Sequence, residues 1–462
     1  MILGLLLIAS HRAALGQEYI QKTLMLFGDP DVRTGINPQG NLALGQDGRL
    51  YGTAGSGTNY STVFGISTDG TGFSVLHHFG DVAGDGKDPQ DGVIEASDGV
   101  LYGTTQYGGS VNQGIVFKIN KDGSGYQILR EFQNYPTDGA NPRGGLIEGS
   151  DGMLYGSTFF GGAAVGTVFR LNKDGTGYSI IKSLSRRGAE GASPSGVIEA
   201  TDGFLYGMTY LGGSGQGGTI FKLSKDSTSF TVIWNFQQDT NGYRGMSSLL
   251  EGSDGVLYGT TTAGGVTANP GSGTIFKINK DGSGFSVLHR FDRTPPDVGD
   301  HRLVEAGDGA LYGARTFGYG NVYRLGKDGS GFTLLYNFSG TNGDGASPFA
   351  GLTKGKSGEF YGSTAQGGKR GPSGQFYESY GTLFLLRPGV KILGVSRESN
   401  GRVLLRFVGQ SGRSYDLQAA DNLSASPWNK LGTVVAGADG QFQFEDSDAP
   451  NHPARFYRTV EQ

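Results

Sequence analysis

Residues 98–103 read Asp-Gly-Val-Leu-Tyr-Gly, and this short phrase decides the fold. A degenerate copy of the phrase lies at Ser357–Gly362, and six regular copies of Asp-Gly-x-Leu-Tyr-Gly begin at Asp47, Asp98, Asp151, Asp202, Asp254 and Asp308. Successive tyrosines of the seven copies are 51, 53, 51, 52, 54 and 49 residues apart. Internal repetition at a nearly constant period indicates an array of similar structural units.

Each repeat is predicted to contain four short strands joined by tight turns. In the second copy the predicted strands are residues 92–96, 100–105, 114–119 and 126–132. Asp-Gly pairs between them supply the positive φ angles that tight hairpins require. The strands are short apolar runs, which is typical of sheets buried on both faces. Four-stranded units in tandem predict an all-β fold, a β-propeller.

A count of strands predicts the number of blades. Seven Tyr-Gly strands and seven apolar-aromatic strands are present, but only six outer strands follow them. The segment Tyr19–Phe27 has the pattern of the missing outer strand. We therefore predict a seven-bladed propeller over residues 17–388, closed by the N-terminal strand, because closure removes exposed sheet edges. A β-solenoid is the alternative, although it has shorter coils and no use for such a terminal strand.

One copy of the repeat illustrates a longer motif. It contains Asp138–Pro142, Asp151–Thr158, Gly161–Gly162 and Gly166–Phe169. This motif resembles the tandem repeat of the GloVer family, named for Gloeobacter and Verrucomicrobia, and the resemblance covers about residues 19–386. The resemblance implies a propeller-like fold and export from the cell, and it implies no reaction.

The two ends of the chain differ from the repeats. Residues 2–9 are apolar and small residues precede Gln17, which predicts a secretory signal peptide over residues 1–16. A buried N-terminal strand is the alternative. From residue 389 to residue 462 the glycine repeat gives way to alternating apolar and polar residues, which predicts a small C-terminal β-sandwich. We therefore expect a secreted or cell-envelope protein.

The composition argues against several classes of function. The 462 residues include no cysteine, which excludes disulfides, thiolate zinc sites and cysteine nucleophiles. Lysine and arginine number 38 against 42 acidic residues, and this balance argues against a nucleic-acid partner. The apolar N-terminal stretch is too short to span a membrane, so we predict no transmembrane segment. Neither a G-x-S-x-G nor an H-E-x-x-H motif is present, and we assign no catalytic residue.

Acidic residues cluster in the first loop between repeats. Calcium prefers oxygen ligands, so this loop is a candidate calcium site, with Asp81, Asp85 and Asp88 as its ligands. Asp-Gly pairs are also ordinary turn chemistry, which is the alternative. We predict no other cofactor.

The long loops define a candidate binding face. In a meander, the loops between second and third strands and those between blades emerge on one side, and the long, variable loops of this chain all lie there. Aromatic residues beside arginines suit sugar rings or a protein partner. The candidate ligand-binding residues are Tyr107, Phe159, Phe160, Tyr210, Arg315, Phe317, Tyr319 and Tyr377. Alternatively, several of these rings pack on each other and stiffen the loops.

These features predict a secreted, non-enzymatic propeller that binds an extracellular glycan or an envelope protein through its long loops. The first alternative is a polysaccharide hydrolase or lyase with its site in the central funnel, an inference from the fold alone. A purely structural surface protein is the second alternative. The sequence leaves the ligand and the oligomeric state open.

Overall fold

The fold was analysed in a computed structural model, and it consists of strands and turns. The structure describes residues 19–28, 33–55, 61–133, 136–162, 165–186, 189–265, 272–291, 302–341, 343–368, 380–409, 412–422, 428–437 and 439–461. The predicted signal peptide, residues 1–16, lies outside them. Two compact units make up the chain: residues 22–354 with 360–385 form the repeat unit, and the chain from residue 386 onward forms most of the other. None of the described residues belongs to a helix long and apolar enough to cross a bilayer.

The repeats form four-stranded antiparallel sheets, of which the described residues contain seven, numbered here in chain order. In sheets 1 to 6 the strands pair in the order in which the chain forms them. Their bounds are, for sheet 1, Ala43–Leu44, Arg49–Ala54, Thr62–Ser67 and Ser74–His78; for sheet 2, Ile94–Glu95, Leu101–Thr105, Ile115–Ile119 and Gln127–Glu131; for sheet 3, Ile147–Glu148, Leu154–Thr158, Thr167–Leu171 and Ser179–Ser183; for sheet 4, Ala192–Glu199, Leu205–Leu211, Gln216–Leu223 and Phe230–Gln237; for sheet 5, Leu250–Glu251, Leu257–Thr261, Thr274–Ile278 and Ser286–Arg290; for sheet 6, Val304–Glu305, Leu311–Arg315, Asn321–Leu325 and Thr333–Asn337.

Sheet 7 combines the two ends of the repeat region. Its first three strands are Thr353–Lys354, Phe360–Thr364 and Thr382–Pro388. The N-terminal strand, Tyr19–Leu26, is hydrogen-bonded to the third of these and occupies the fourth position. Just beyond this strand, the Phe27 N–H donates to the Gly381 carbonyl at 3.1 Å.

The recurring six-residue phrase forms one turn and the strand after it. In sheet 2 the Tyr102 hydroxyl donates to the Asp98 carboxylate at 2.8 Å, and Gly99 has a φ of 78°. A Cβ on Gly103 would lie 2.6 Å from the ring of Phe117, so glycine leaves space for that ring. The phrase therefore encodes a tight turn, a hydrogen bond and a packing space.

Apolar side chains of neighbouring sheets form the core. Between sheets 2 and 3, for example, Val116 and Phe132 pack with Leu154 and Phe169. The rings of Phe132 and Phe169 meet edge to face with 5.2 Å between centroids. Burying each such side chain stabilises the fold by about 1.5–3 kcal/mol relative to exposure.

Sheets 7 and 1 share a cluster of the same kind. Leu24 of the N-terminal strand and Leu383 pack with Leu50 and Phe64 of sheet 1. The Phe27 ring meets the Phe64 ring edge to face at 5.3 Å. The first and last sheets of the described repeats are therefore in contact.

Carboxylate bridges join successive sheets on the side of the Asp-Gly turns. Each is a glutamate at the end of a first strand that binds the turn of the preceding sheet. Glu199 accepts from the Ser150 N–H at 2.7 Å and hydroxyl at 2.6 Å, and it pairs with Lys225 at 2.8 Å. The same arrangement recurs at Glu148, Glu251 and Glu305. Leu44 and Lys354 stand at the corresponding positions of sheets 1 and 7.

The C-terminal unit contains two three-stranded antiparallel sheets. Their strands are Lys391–Arg397, Val403–Val408 and Gln441–Asp446 in one, and Asn429–Val435, Ser414–Ala420 and Phe456–Glu461 in the other. The 3-10 turn Ala449–Asn451 precedes the last strand. The sheets share one core, in which the Phe442 ring stacks on Phe407 at 5.0 Å and on Tyr415 at 4.9 Å.

Candidate ligand-binding face

The two ends of each repeat sheet differ in structure. One end, called the turn face here, carries the Asp-Gly turns and the turns between third and fourth strands. The other, the loop face, carries the long loops between second and third strands and the connections between sheets. Short ladders stiffen several of these loops; they pair Gly86–Lys87 with Tyr107–Gly108, Gly139–Ala140 with Phe160–Gly161, and Gly345–Ala346 with Gln366–Gly367. The side chains next to these three ladders therefore project from a hydrogen-bonded backbone.

A row of aromatic and arginine side chains crosses the loop face from sheet 3 to sheet 5. We call Arg143, Phe159, Tyr210 and Arg244 the aromatic–arginine row. The Arg143 guanidinium lies 4.5 Å from the centre of the Phe159 ring, whose centroid is 6.0 Å from that of Tyr210. The Arg244 guanidinium lies 5.6 Å from the Tyr210 ring. Cation–π contacts of this kind hold the four side chains in one continuous surface.

Tyr107 extends the row at one end. With the Gln106 amide rotated so that its oxygen faces the neighbouring donors, that oxygen accepts from the Arg143 guanidinium at 3.2 Å and from the Tyr107 hydroxyl at 3.3 Å. Gln106 itself is buried, and its backbone carbonyl accepts from the Asn141 amide at 3.0 Å. Arg143 is therefore positioned by its neighbours on both sides.

The predicted ligand-binding residues divide by exposure. Phe160 and Tyr319 are 44% and 49% exposed, and Tyr107 is more than a third exposed. Tyr210 is half-buried beside Phe159, which is 9% exposed. The structure thus brings Tyr107, Phe159, Phe160 and Tyr210 together, with Phe159 supporting the exposed rings.

Arg315 and Phe317 form a separate cluster. Arg315 is buried, and its guanidinium lies 4.1 Å from the ring of Phe291 and 5.5 Å from that of Phe317. The role of Arg315 in this contact is packing within the repeat. Tyr377 lies outside the described residues.

Sequence reasoning did not single out Arg143 or Arg244. Arg143 follows the loop pair Asn141–Pro142, and Arg244 follows the buried Tyr243. The available signal was positional, because both arginines occur where a loop enters the first strand of a sheet. This position indicates a functional role only when the structure shows that the loops of neighbouring sheets are in contact.

A cavity of about 310 Å³ lies beside the first strands of sheets 1 to 3. Asn41, Asp91, Glu95 and Arg302 are among its lining residues. The Arg302 guanidinium donates to the Asp91 carboxylate at 2.8 Å, and the Asn41 amide donates to it at 3.0 Å. Asp91 and Arg302 are 211 residues apart in the chain, so this contact links sheet 2 with the segment that enters sheet 6.

The two acids of this cavity, Asp91 and Glu95, have polar partners. Burial raises the pKa of Asp91, but the charge of Arg302 and the hydrogen bonds to the carboxylate outweigh burial, so the pKa lies below its ordinary value. Glu95 pairs with Lys121 and accepts from the Gln46 N–H at 2.8 Å. Both carboxylates therefore carry structural contacts.

The three proposed calcium ligands have different partners. Asp81 pairs with Arg33 at 2.7 Å, and the Asp88 carboxylate accepts from Gln90 at 2.9 Å. The Asp85 carboxylate is buried and receives a hydrogen bond from the Gly86 N–H at 2.7 Å. Among the residues that the structure describes, no three carboxylates or imidazoles are gathered in a metal-binding group. Calcium binding in this loop stays a prediction.

Successive four-stranded antiparallel sheets, each packed on the next, define a β-propeller-like repeat protein. The chain belongs to the Gloeobacter/Verrucomicrobia repeat family, whose sequence profile matches residues 14–164 and 91–318. These overlapping matches run from residue 14 to residue 318 and cover more than half of the chain. The family resemblance seen in the repeat motif is thereby confirmed.

Two solved structures are similar to this chain at low identity. A chain in the crystal structure of a nidogen/laminin complex matches at 13% identity and a TM-score of 0.40, over 63% of this chain and 94% of its own length. A structure described as TolB, from Agrobacterium tumefaciens, matches at 13% identity and a TM-score of 0.37, over 68% of this chain and 94% of its own. No curated protein matches the chain in sequence.

Proposed function

We propose that the seven repeat sheets close into a ring that presents the loop face to a ligand. The N-terminal strand supports closure because it completes the sheet nearest the end of the repeats. The contacts of sheet 7 with sheet 1 add to this support. The Thr353 hydroxyl donates to the Leu42 carbonyl at 2.6 Å, and the Ser363 hydroxyl donates to the Gly40 carbonyl at 3.4 Å.

The packing of one turn glycine gives a second line of support. A Cβ on Gly123 of sheet 2 would lie 3.0 Å from the carbonyl oxygen of Leu76, in the fourth strand of sheet 1. A Cβ on Gly70 of sheet 1 would lie 3.0 Å from the carbonyl oxygen of Leu24, in the N-terminal strand. The N-terminal strand therefore contacts sheet 1 as a fourth strand contacts the sheet that follows it.

For this ring of sheets we propose a binding function, with a glycan as the ligand. The observation that carries this assignment is the aromatic–arginine row flanked by the exposed rings of Phe160 and Tyr107. Sugar rings stack on aromatic faces, and arginine supplies several hydrogen-bond donors in a fixed plane. The ordered ladders under the loops limit the entropy lost on binding.

The test is binding of the purified chain to a panel of soluble and immobilised polysaccharides. We expect retention on at least one polysaccharide, with the affinity lowered about tenfold or more by Tyr210→Ala or Phe160→Ala, as loss of a stacking ring removes roughly 1–3 kcal/mol. Leu334→Ala is the matched control, since Leu334 is exposed on a fourth strand away from the row. Failure to bind any polysaccharide would remove the glycan assignment.

A protein ligand is the other class of partner that this face suits. Retention of an envelope protein in place of any polysaccharide, with the same dependence on Tyr210, would assign the face to protein recognition. Dependence on Leu334 in place of Tyr210 would contradict both assignments.

A hydrolase or lyase in the cavity beside sheets 1 to 3 is the second candidate function. The observation in its favour is that Asp91 and Glu95 both line the cavity. A glycosidase acid needs a raised pKa, however, whereas the pKa of Asp91 is lowered. We therefore place binding before catalysis, and release of reducing ends or unsaturated products from any glycan would reverse that order.

We further propose a secreted or cell-envelope location, with the C-terminal unit as a tether or a second interaction module. The apolar segment before Gln17 supports this location. A mature N terminus at Gln17 in protein recovered outside the cytoplasm is the expected result. An intact Met1 in exported protein would contradict the proposed cleavage.

A further inference from the structure

Two arginines of the aromatic–arginine row have no carboxylate partner. Within the described residues, no aspartate or glutamate lies within 4.0 Å of the guanidinium of Arg143 or Arg244. Arg143 meets a neutral amide, and Arg244 meets only the faces of Tyr210 and Tyr243. Two unneutralised cations therefore stand at the two ends of the row.

The turn face provides an internal comparison. There, lysines such as Lys225 and Lys327 each pair with a glutamate, at 2.8 Å and 2.6 Å. Arg324 likewise pairs with Asp308 at 2.9 Å. A chain with slightly more acids than bases has carboxylates available, yet none neutralises the row. The positive charge of the row is consequently free to act on a ligand.

We infer that the ligand is an anionic sugar chain, one that carries carboxylate or sulfate groups. This inference rests on the proposed glycan-binding function and specifies its substrate class. Guanidinium groups form paired hydrogen bonds with planar carboxylates and with sulfate oxygens. The exposed Phe160 ring and the half-buried Tyr210 ring both contact Phe159, within the row that the two guanidiniums flank. A sugar stacked on either ring therefore places its neighbours near the cations.

The exposed aromatic rings beside the two cations favour a sugar chain over an acidic peptide. Stacking requires rings, which pyranose units present at every step along a polysaccharide. The two guanidiniums stand on either side of two rings whose centroids are 6.0 Å apart, so they address separate units of an extended chain. An acidic peptide is therefore an outcome of the test.

The experiment compares oligosaccharides of equal length that carry carboxylate groups, sulfate groups or no charge. Isothermal titration measures the affinity for oligogalacturonate, which carries carboxylates, and for a sulfated galactan oligomer. A neutral galactan oligomer is the uncharged reference. We expect binding of at least one anionic oligomer to be tenfold or more tighter than that of the neutral one. We also expect this preference to shrink as salt is raised from 0.05 to about 0.5 M, because exposed charges are screened.

Variants separate charge from stacking. Arg143→Gln and Arg244→Gln should each lower affinity for the anionic oligomer about fivefold to tenfold and lower the affinity for the neutral oligomer by a clearly smaller factor. Arg143→Lys keeps the charge without the planar fork and should retain part of the preference. Arg324→Gln, on the turn face, is the control and should change neither affinity. Thermal melts of all variants verify that they fold.

The outcomes distinguish this inference from the proposed function. Equal affinity for neutral and anionic oligomers, with loss on Tyr210→Ala, would overturn the inference and leave glycan binding intact. Absence of binding to every oligomer would overturn the proposed function itself. Binding of poly-glutamate in place of any sugar would overturn both in favour of an acidic protein partner.

Discussion

Asp85 accepts four hydrogen bonds in the loop between sheets 1 and 2. The donors are the N–H groups of Gly80 and Gly86, the His77 imidazole at 2.9 Å and the Tyr126 hydroxyl. His77 belongs to the fourth strand of sheet 1, and Tyr126 precedes the fourth strand of sheet 2. One carboxylate therefore ties two neighbouring sheets together.

Burial raises the pKa of Asp85, but the hydrogen bonds from His77 and Tyr126 outweigh burial and lower the pKa below its ordinary value. The stabilisation from this carboxylate is therefore complete above pH 4–5, near and above the ordinary pKa of about 3.9, and is lost as the pH falls through the lowered pKa.

We predict that Asp85→Asn lowers the free energy of unfolding by about 2–4 kcal/mol at pH 7, because an amide group then faces donors that need an acceptor. Urea unfolding at pH 7 and at pH 3 measures the effect, and the difference between variant and parent should narrow at the lower pH. Asp122→Asn is the control, since Asp122 is exposed and its contacts lie within one turn. Equal losses from the two variants would contradict the assigned role.

At the residue level, surroundings are predictable from the sequence where they are local. The exposed rings of Tyr107 and Phe160 are predictable from loop position. The hydrogen bond from Tyr126 to Asp85 is not predictable in this way, because the two residues are 41 positions apart in the chain. Likewise the contact between the Arg315 guanidinium and the Phe291 ring has no signal in the sequence, and ligand binding by Arg315 stays a prediction.

At the scale of elements, the prediction of four strands per repeat is confirmed, with one difference in length. The first strand of sheet 2 was predicted over residues 92–96, and the structure has Ile94–Glu95. A Cβ on Gly92 would collide with the Asn41 carbonyl oxygen of sheet 1. The backbones of neighbouring sheets therefore approach closely at Gly92, where the predicted strand would have begun. The sequence of one repeat does not predict this contact, because the contact involves a residue of another repeat.

A bulge between third and fourth strands recurs from sheet 1 to sheet 6. In sheet 2 the register shifts between Val116 and Phe117, so Leu129 of the fourth strand is left without an opposite residue. The same shift occurs between Val168 and Phe169 in sheet 3. Alternation of apolar residues predicts the strands but not this extra residue, since the adjacent apolar residues Ile128 and Leu129 do not show which of the two is unpaired.

The carboxylate bridges provide a prediction at this scale. Burial raises the pKa of Glu199, but the contacts from Lys225 and Ser150 outweigh it and lower the pKa. We expect Glu199→Gln to cost about 0.5–1 kcal/mol of unfolding free energy at low salt. In 1 M NaCl the cost should shrink, because the ion pair is screened. Thermal unfolding at both salt concentrations tests this.

The control for Glu199 is a glutamate with a backbone partner and no lysine. Glu131 accepts from the Ser110 N–H at 2.8 Å, so Glu131→Gln should have a smaller effect that does not depend on salt. A salt-independent loss for Glu199→Gln would show that the lysine contributes nothing to the bridge.

At the scale of the whole molecule, the N-terminal strand is the element on which the proposed closure depends. Leu24 and Phe27 are buried in the cluster shared by sheets 7 and 1. We predict that a chain starting at Gly28 is less stable than one starting at Gln17 by about 4 kcal/mol or more, as two large apolar side chains are lost. Equilibrium unfolding of the two chains measures the difference.

A peptide of residues 17–28 added to the shortened chain distinguishes strand loss from general damage. The peptide should restore stability in proportion to its concentration, because it adds an edge strand to Thr382–Pro388. A Leu24→Asp version of the peptide should fail to do so. Unchanged stability after truncation would contradict closure by this strand.

The placement of the N-terminal strand also has a consequence for biosynthesis. Tyr19 emerges from the ribosome 363 residues before Thr382, the start of the strand that it joins. At about 5–20 residues per second this is a delay of roughly 20–70 s, during which the strand lacks the strand with which it forms hydrogen bonds. Another nascent chain offers the same hydrogen bonds. Concentrated synthesis therefore favours domain-swapped dimers, in which each molecule completes the last sheet of the other.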